Sequence, residues 1–316
     1  MGDYVSDLYQ ALIDQLLAQP EAEQEPYYST AESLRAFADA IWNDAGDANA
    51  HIQRLLSSGR GEAMDALAGH WNKIMHQDVR SVSDAAAITS QAATAIADTL
   101  ATAKAEVVQV AATCAVTTTA ELVGGALVFG AADDVVATNI AVAQTSARTV
   151  TTRCGQQIVG VLSRLQRDPA VAGLDGVATD LAGAVGDRGA GAGAGTGRAR
   201  GSLVPDAARD AGQGVKVDHA EHERAAGRLR EVSTQLLGTT GGALRTATAA
   251  HATAAAGGSL AASVAPTLDT VLDNLSKATT AFGDHLGGTL PDLILRMSED
   301  QQATDDTNRK HLAQLD

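Results

Sequence analysis

The stretch "EAMDALAGHWNKIMHQDVRSVSDAAAITSQAATAIADTLATAKAEVVQVAA" (residues 62–112) decides the fold because it contains no proline and carries one helical repeat throughout. Alanine, the strongest helix former, fills many positions between the larger apolar residues. A helix this long cannot bury its apolar face alone, so it must lie along neighbouring helices. The repeat predicts one long helix with Met64, Leu67, Trp71, Ile74, Val82, Ile88, Ile96, Leu100, Val107 and Val110 along its apolar side.

The composition of the chain favours closely packed helices. Aromatic residues make up 3% of the 316 residues, and there are six prolines, so the core must be built from small side chains on long unbroken segments. We therefore predict an all-α fold of long antiparallel helical hairpins forming an elongated bundle. The net charge of −15 argues against a nucleic-acid partner, because phosphate groups are repelled at long range.

Helices are predicted on both sides of this stretch. The turn "SSGRGEA" (residues 57–63) separates it from a helix that begins near Ser29. Residues 1–19 are predicted to form a short amphipathic helix, and they lack the basic and apolar regions of a cleavable signal peptide. We therefore expect no cleavable signal peptide, and a secreted, extracellular or cell-surface location would require export without one.

A second hairpin is predicted from the periodic run over residues 135–166, with its bend near residues 130–134 in "FGAADD". Such a bend would place Cys114 and Cys154 opposite each other, between small residues that allow close helix approach. We predict a disulfide between them, which would indicate an oxidising compartment. The alternative is two buried free thiols that act as small apolar groups.

Composition also predicts the division of the chain. The stretch "GAVGDRGAGAGAGTGRARGS" (residues 183–202) is Gly/Ala-rich and typical of a flexible linker. We predict a long-helix bundle over residues 1–170, a flexible linker over 171–215, and a helical hairpin with a polar tail over 216–316.

Two segments resemble proteins of actinobacterial type VII (ESX) secretion. Residues 29–112, with the turn "SSGRGEAMDALAGHW", are similar to WXG-type and PPE-like helical hairpins, and residues 217–306 are similar to small ESX-secretion-associated proteins. The resemblance implies a secreted, non-catalytic protein that binds secretion-system components or a helical pairing partner, or the delivery part of a toxin. It also implies an export signal of tyrosine followed four residues later by an acid, a spacing that Tyr28 and Glu32 fit.

The remaining sequence features leave several functions open. Trp42 and Trp71 flank the turn and are candidates for core packing or for partner contact, and a homo-oligomer is a further alternative. The histidines and acids of "DHAEHE" (residues 218–223) favour a solvated helix start over a metal site. An α-helical pore-forming toxin component, with residues 107–144 as its membrane-inserting head, is the competing function. No catalytic motif, metal site or cofactor motif is present, so we expect no enzyme and no cofactor.

Overall fold

A computed structural model describes residues 23–124, 132–186 and 218–312. Across these residues the fold is all-α, as predicted. The helices are α1 (Glu25–Ser58), α2 (Glu62–Lys73), α3 (Arg80–Gly124), α4 (Ala132–Arg167), α5 (Pro169–Gly186), α6 (His219–Gln235), α7 (Gly241–Ala255), α8 (Gly258–Asp284) and α9 (Leu290–Leu312). Three short π-helical turns join them: π1 (Ile74–Val79) between α2 and α3, π2 (Leu236–Thr240) between α6 and α7, and π3 (His285–Thr289) between α8 and α9.

The long helix predicted from residue 62 is confirmed, because helical structure continues from residue 62 to residue 124 through π1. The turn predicted at residues 57–63 is also present, and the chain turns again before α8. Gly61, before α2, has a φ of 128°, and Gly258, at the start of α8, has a φ of 82°. Only glycine adopts such backbone angles without strain, so these glycines allow the chain to reverse at both places. The predicted helix over residues 1–19 lies outside the described residues.

The chain divides into two compact units, each built from three separate segments. Unit 1 comprises Met1–Ser33, Ile88–Asp168 and Thr246–Val271. Unit 2 comprises Leu34–Ala87, Pro169–Arg245 and Leu272–Asp316. These units do not coincide with the predicted domains 1–170 and 216–316, because segments from both ranges contribute to each unit. Seams of small apolar residues look alike along the chain, so their spacing does not show which helices pack together.

Unit 1 contains the hairpin formed by α3 and α4. Its buried seam repeats every three or four residues, the spacing of antiparallel helices that pack with interlocking side chains. Gly124 ends α3 and Ala132 begins α4, so residues 132–134, predicted to lie at the bend, are already helical. The seam contains Val107, Ala111, Cys114 and Thr118 of α3 and Ala143, Ala147, Val150, Cys154 and Ile158 of α4.

The predicted disulfide between Cys114 and Cys154 is wrong, since both residues are buried free thiols. The register of the hairpin gives the reason. The thiol of Cys114 lies 3.4 Å from the carbonyl oxygen of Asn139, and that of Cys154 lies 3.9 Å from the carbonyl oxygen of Thr99. At 1.5 Å per residue, Cys154 lies roughly 22 Å further along α4 than Asn139, far beyond the span of a disulfide.

Unit 2 packs α5 and α6 with parts of α1 to α3, α8 and α9. Its core contains three large aromatic side chains that are almost fully buried: Phe37, Trp71 and Phe282. The prediction of a flexible linker from residue 171 is wrong for its first part, because residues 169–186 form α5. Val171, Leu174 and Leu181 are buried, and this burial stabilises the helix despite its glycines. The rest of the predicted linker, residues 187–215, lies outside the described residues.

Candidate interaction surfaces

The two tryptophans occupy different environments in unit 2. Trp71 is 1% exposed, and its indole N–H donates a hydrogen bond of 2.8 Å to the side-chain oxygen of Asn49. Trp42 is 45% exposed on α1. Because Trp71 lies opposite Asn49, Trp42 is roughly 10 Å away along α1, and the two rings lie at different heights. Trp71 is a core residue, and Trp42 alone is accessible to a partner.

The surface around Trp42 is open and acidic. A side chain added at Gly46, one turn later on α1, would meet nothing within 4 Å. Asp39 and Asp47 are exposed on the same helix, whose other side buries Phe37 and Ile41 in the core of unit 2. The exposed surface of α1 therefore presents a large aromatic group with Asp39 and Asp47 within two turns, the base Arg35 two turns before it, and space beside it.

Tyr28 and Glu32, the candidate export signal, lie at the start of α1 in unit 1. Glu32 is exposed, and Tyr28 is half-buried. The Tyr28 hydroxyl donates a hydrogen bond of 2.6 Å to the carboxylate of Asp98 on α3, which raises the pKa of Tyr28 above its usual value. The two signal residues therefore belong to a packed helix, and one of them is fixed by a side-chain contact.

An open groove runs along one side of the α3–α4 hairpin and has a volume of about 400 Å³. We call it the hairpin groove. Its walls include Val110, Thr113 and Thr117 of α3 and Val142 and Ser146 of α4. Val142 is 61% exposed although it is apolar. The sequence did not reveal this groove, because its alanines, threonines and valines differ little from those of the buried seam.

One ion pair lies at the base of the hairpin groove. Glu106 lines the groove, and its carboxylate lies 3.3 Å from the guanidinium of Arg153 on α4. Both side chains are about half exposed, so the pair contributes little to stability, on the order of 0–1 kcal/mol. It places an acid on α3 beside a base on α4 at the same level of the hairpin.

A buried carboxylate in unit 2 joins α1 to α6 and π2. Asp44 is 2% exposed, and it accepts hydrogen bonds from the side-chain amide of Gln235 at 2.8 Å and from the hydroxyl of Thr240 at 2.6 Å. Burial raises the pKa of Asp44, and the two hydrogen bonds oppose that shift. Sequence reasoning missed this group because aspartate is usually exposed.

The three π turns of unit 2 all carry buried polar residues. The side-chain nitrogens Nε2 of His70 and His285 in π3 lie 3.2 Å apart, and burial lowers the pKa of His70. Asp78 in π1 is 6% exposed, and burial raises its pKa while Lys73 opposes the shift. Thr240 in π2 contacts Asp44 as described above. π turns often mark functional positions, and here they coincide with polar contacts inside the unit.

The helix start at "DHAEHE" differs from the expected solvated end. The Asp218 carboxylate caps α6 by accepting a hydrogen bond of 3.1 Å from the backbone N–H of Glu221. Glu221 and His222 are buried, and His219 contacts the hydroxyl of Ser298 at 2.5 Å. The start of α6 is therefore packed against α9. The predicted helix start is present, but most of this cluster is buried and structural.

Within residues 23–124, 132–186 and 218–312, no group of three or more His, Cys, Asp or Glu side chains could hold a metal ion. Over the same described residues, each helix is too short or too polar to cross a membrane.

Comparisons with known proteins give no relative for this chain. No family model, no curated protein and no solved structure matches it.

Proposed function

We propose that this protein is a non-enzymatic helical protein that is exported through a type VII (ESX) secretion system and acts through contacts with other proteins. The exposed Trp42 carries this proposal. Tryptophan is enriched at the centres of protein interfaces, because it buries a large area and loses little side-chain freedom. An indole left 45% exposed on a helix with a well-packed opposite side is suited to such a contact.

The charges around Trp42 favour a partner with basic residues. Asp39 and Asp47 lie on the exposed side of α1, and the whole chain carries a net charge of −15. Lysine or arginine on a partner could pair with these acids and stack on the indole ring, and charge complementarity would speed association. The open position at Gly46 leaves room for a partner side chain next to Trp42.

The export route rests on the resemblance of residues 29–112 and 217–306 to type VII substrates and on the spacing of Tyr28 and Glu32. It is tested by measuring secretion in the source bacterium and in a strain that lacks the ESX motor ATPase. Loss of the protein from the medium of the mutant strain supports the route. Equal secretion by both strains, or none by either, contradicts it.

The role of the export signal can be tested separately. Replacing Tyr28 or Glu32 with alanine should reduce secretion while the protein still accumulates inside the cell. Asp98→Ala is the matched control, because it removes the hydrogen bond of Tyr28 and leaves both signal residues in place. Secretion that depends on Asp98 as strongly as on Tyr28 would indicate a folding defect instead of a lost signal.

A pore-forming component is the second candidate, favoured by exposed valines within residues 107–144. Val116 and Val142 are 70% and 61% exposed. If this region enters lipid, the protein should release dye from liposomes at neutral or acidic pH, and Val116→Glu should abolish the release. Intact liposomes at both pH values would remove this candidate.

A further inference from the structure

We infer that the hairpin groove is a dimer interface, and that its occupant is the α3–α4 hairpin of a second copy of this chain. This inference rests on the proposed function, since it names one protein contact that the exported protein makes. It uses a surface in unit 1 and does not depend on Trp42.

The first observation is that the hairpin continues past the neighbouring helices of unit 1. Gln24, next to the start of α1, contacts Lys104 of α3 at 3.0 Å. Leu260, near the start of α8, lies beside Gly155 of α4, where an added Cβ would be 3.4 Å from its side chain. Toward the bend from these two contacts, the hydrogen bonds of Asn139 join α4 to Cys114, Thr118 and Glu121 of α3.

The second observation is the small size of the side chains in this part of the seam. Ala111, Cys114 and Ala143 supply much of the contact between α3 and α4. Two helices joined by such residues bury little apolar surface. Because helices in proteins are stabilised mainly by tertiary packing, a hairpin of this kind gains from a further packing partner. A second hairpin would convert this pair into a four-helix arrangement and cover Val142, which is 61% exposed.

The third observation is charge complementarity, which identifies a second copy as the occupant. At the base of the groove the acid Glu106 of α3 lies beside the base Arg153 of α4, so the two helices carry opposite charges at the same level. A two-fold axis parallel to the hairpin places α3 of each copy against α4 of the other, and residues at the same height along the axis then face each other. Glu106 of one copy then meets Arg153 of the second copy, and each ion pair at the groove base becomes part of a four-charge network.

The interface is tested first by the oligomeric state of the purified full-length protein. Sedimentation velocity at concentrations from about 1 to about 100 μM should show a concentration-dependent dimer. Val142→Glu should raise the dissociation constant by about tenfold or more, because the symmetric interface contains the substitution twice. Val159→Glu is the matched control: it changes the same residue type on the same helix, is 56% exposed, and lies outside the groove.

A charge-reversal experiment keeps the inference testable if Val142→Glu fails to fold. Glu106→Arg and Arg153→Glu should each be monomeric, because like charges then face each other across the interface. Mixing the two variants should restore a dimer with one chain of each kind, since two bases then face two acids. The ion pair within each chain is broken in both variants and is not repaired by mixing, so recovery can come only from contacts between chains.

Several results would overturn the inference. A protein that is monomeric at all concentrations excludes the dimer interface. A dimer that is weakened equally by Val159→Glu and by Val142→Glu excludes it as well. Comparing the alkylation rates of the two buried thiols tests for another occupant, because Cys114 also lines the groove and Cys154 does not. If Cys114 resists alkylation in a monomeric protein and deletion of residues 1–22 removes that resistance, those residues cover the groove and a second copy does not. Export measurements are independent of these results, so failure here leaves the secretion proposal standing.

Discussion

The contrast between Trp71 and Trp42 gives the most direct test of the packing in unit 2. Replacing Trp71 with alanine removes a side chain that is 1% exposed and leaves a large cavity. Such a change in a core lowers the free energy of unfolding by about 3–5 kcal/mol. The substitution also removes the hydrogen bond to Asn49, whose oxygen also accepts a bond from Gln53 at the edge of the core. Replacing Trp42 with alanine should change the stability by less than about 0.5 kcal/mol, as is usual for exposed positions.

The assay is urea unfolding followed by tryptophan fluorescence, and the chain has two tryptophans. Each single variant therefore reports on the ring that remains, and both rings belong to unit 2. Iodide should strongly quench the fluorescence of Trp71→Ala, because the remaining Trp42 is accessible. It should only weakly quench the fluorescence of Trp42→Ala, because the remaining Trp71 is buried. The reasoning would be refuted if Trp42→Ala destabilised the protein by more than about 2 kcal/mol, or if both variants were quenched equally.

Three further predictions concern groups inside the two units. Burial lowers the pKa of His70 in the folded protein, so the unfolded chain binds a proton at this residue more readily. The contribution of neutral His70 to the free energy of unfolding should be fully present above the unfolded pKa of ~6.5, and it should be lost as the pH falls below that value. Urea unfolding from about pH 7.5 to about pH 5.5 should show a smaller loss for His70→Gln than for the natural protein, and an equal loss would contradict this origin. Tyr27 is fully buried, its hydroxyl has no hydrogen-bond partner among the described residues, and burial raises its pKa to about 12. Tyr27→Phe should therefore raise the free energy of unfolding by about 1 kcal/mol, whereas a loss of that size would reveal a missed partner. Intact-mass measurement after alkylation in denaturant without reductant should show both Cys114 and Cys154 modified, and a chain that resists alkylation until reduced would contradict the free thiols.

The helices of this protein could be predicted from sequence because their signals are local. Alanine content, apolar spacing and the scarcity of proline indicated the helix from residue 62, and the glycines of residues 57–63 indicated the turn before it. Such features act within one helix and need no knowledge of the partner helix.

Pairing between helices could not be predicted, because it depends on contacts between distant residues. The bend was placed near residues 130–134, and this shift in register produced the incorrect disulfide. α5 was missed since its glycines suggested a linker, while burial of Leu174 and Leu181 stabilises it as a helix. The buried Asp44 depends on Thr240, almost two hundred residues away in sequence, and no local pattern indicates that contact.

The central claim, that the protein is exported and acts through protein contacts, is tested most directly by recovering it from culture medium and measuring its native mass. The account predicts the intact chain in a complex heavier than the 32.2 kDa of a single copy. It also predicts that Trp42→Ala is exported equally well but no longer binds the partner protein that contacts Trp42. A protein that is absent from the medium, or that is recovered only as a 32.2 kDa monomer, would contradict the claim.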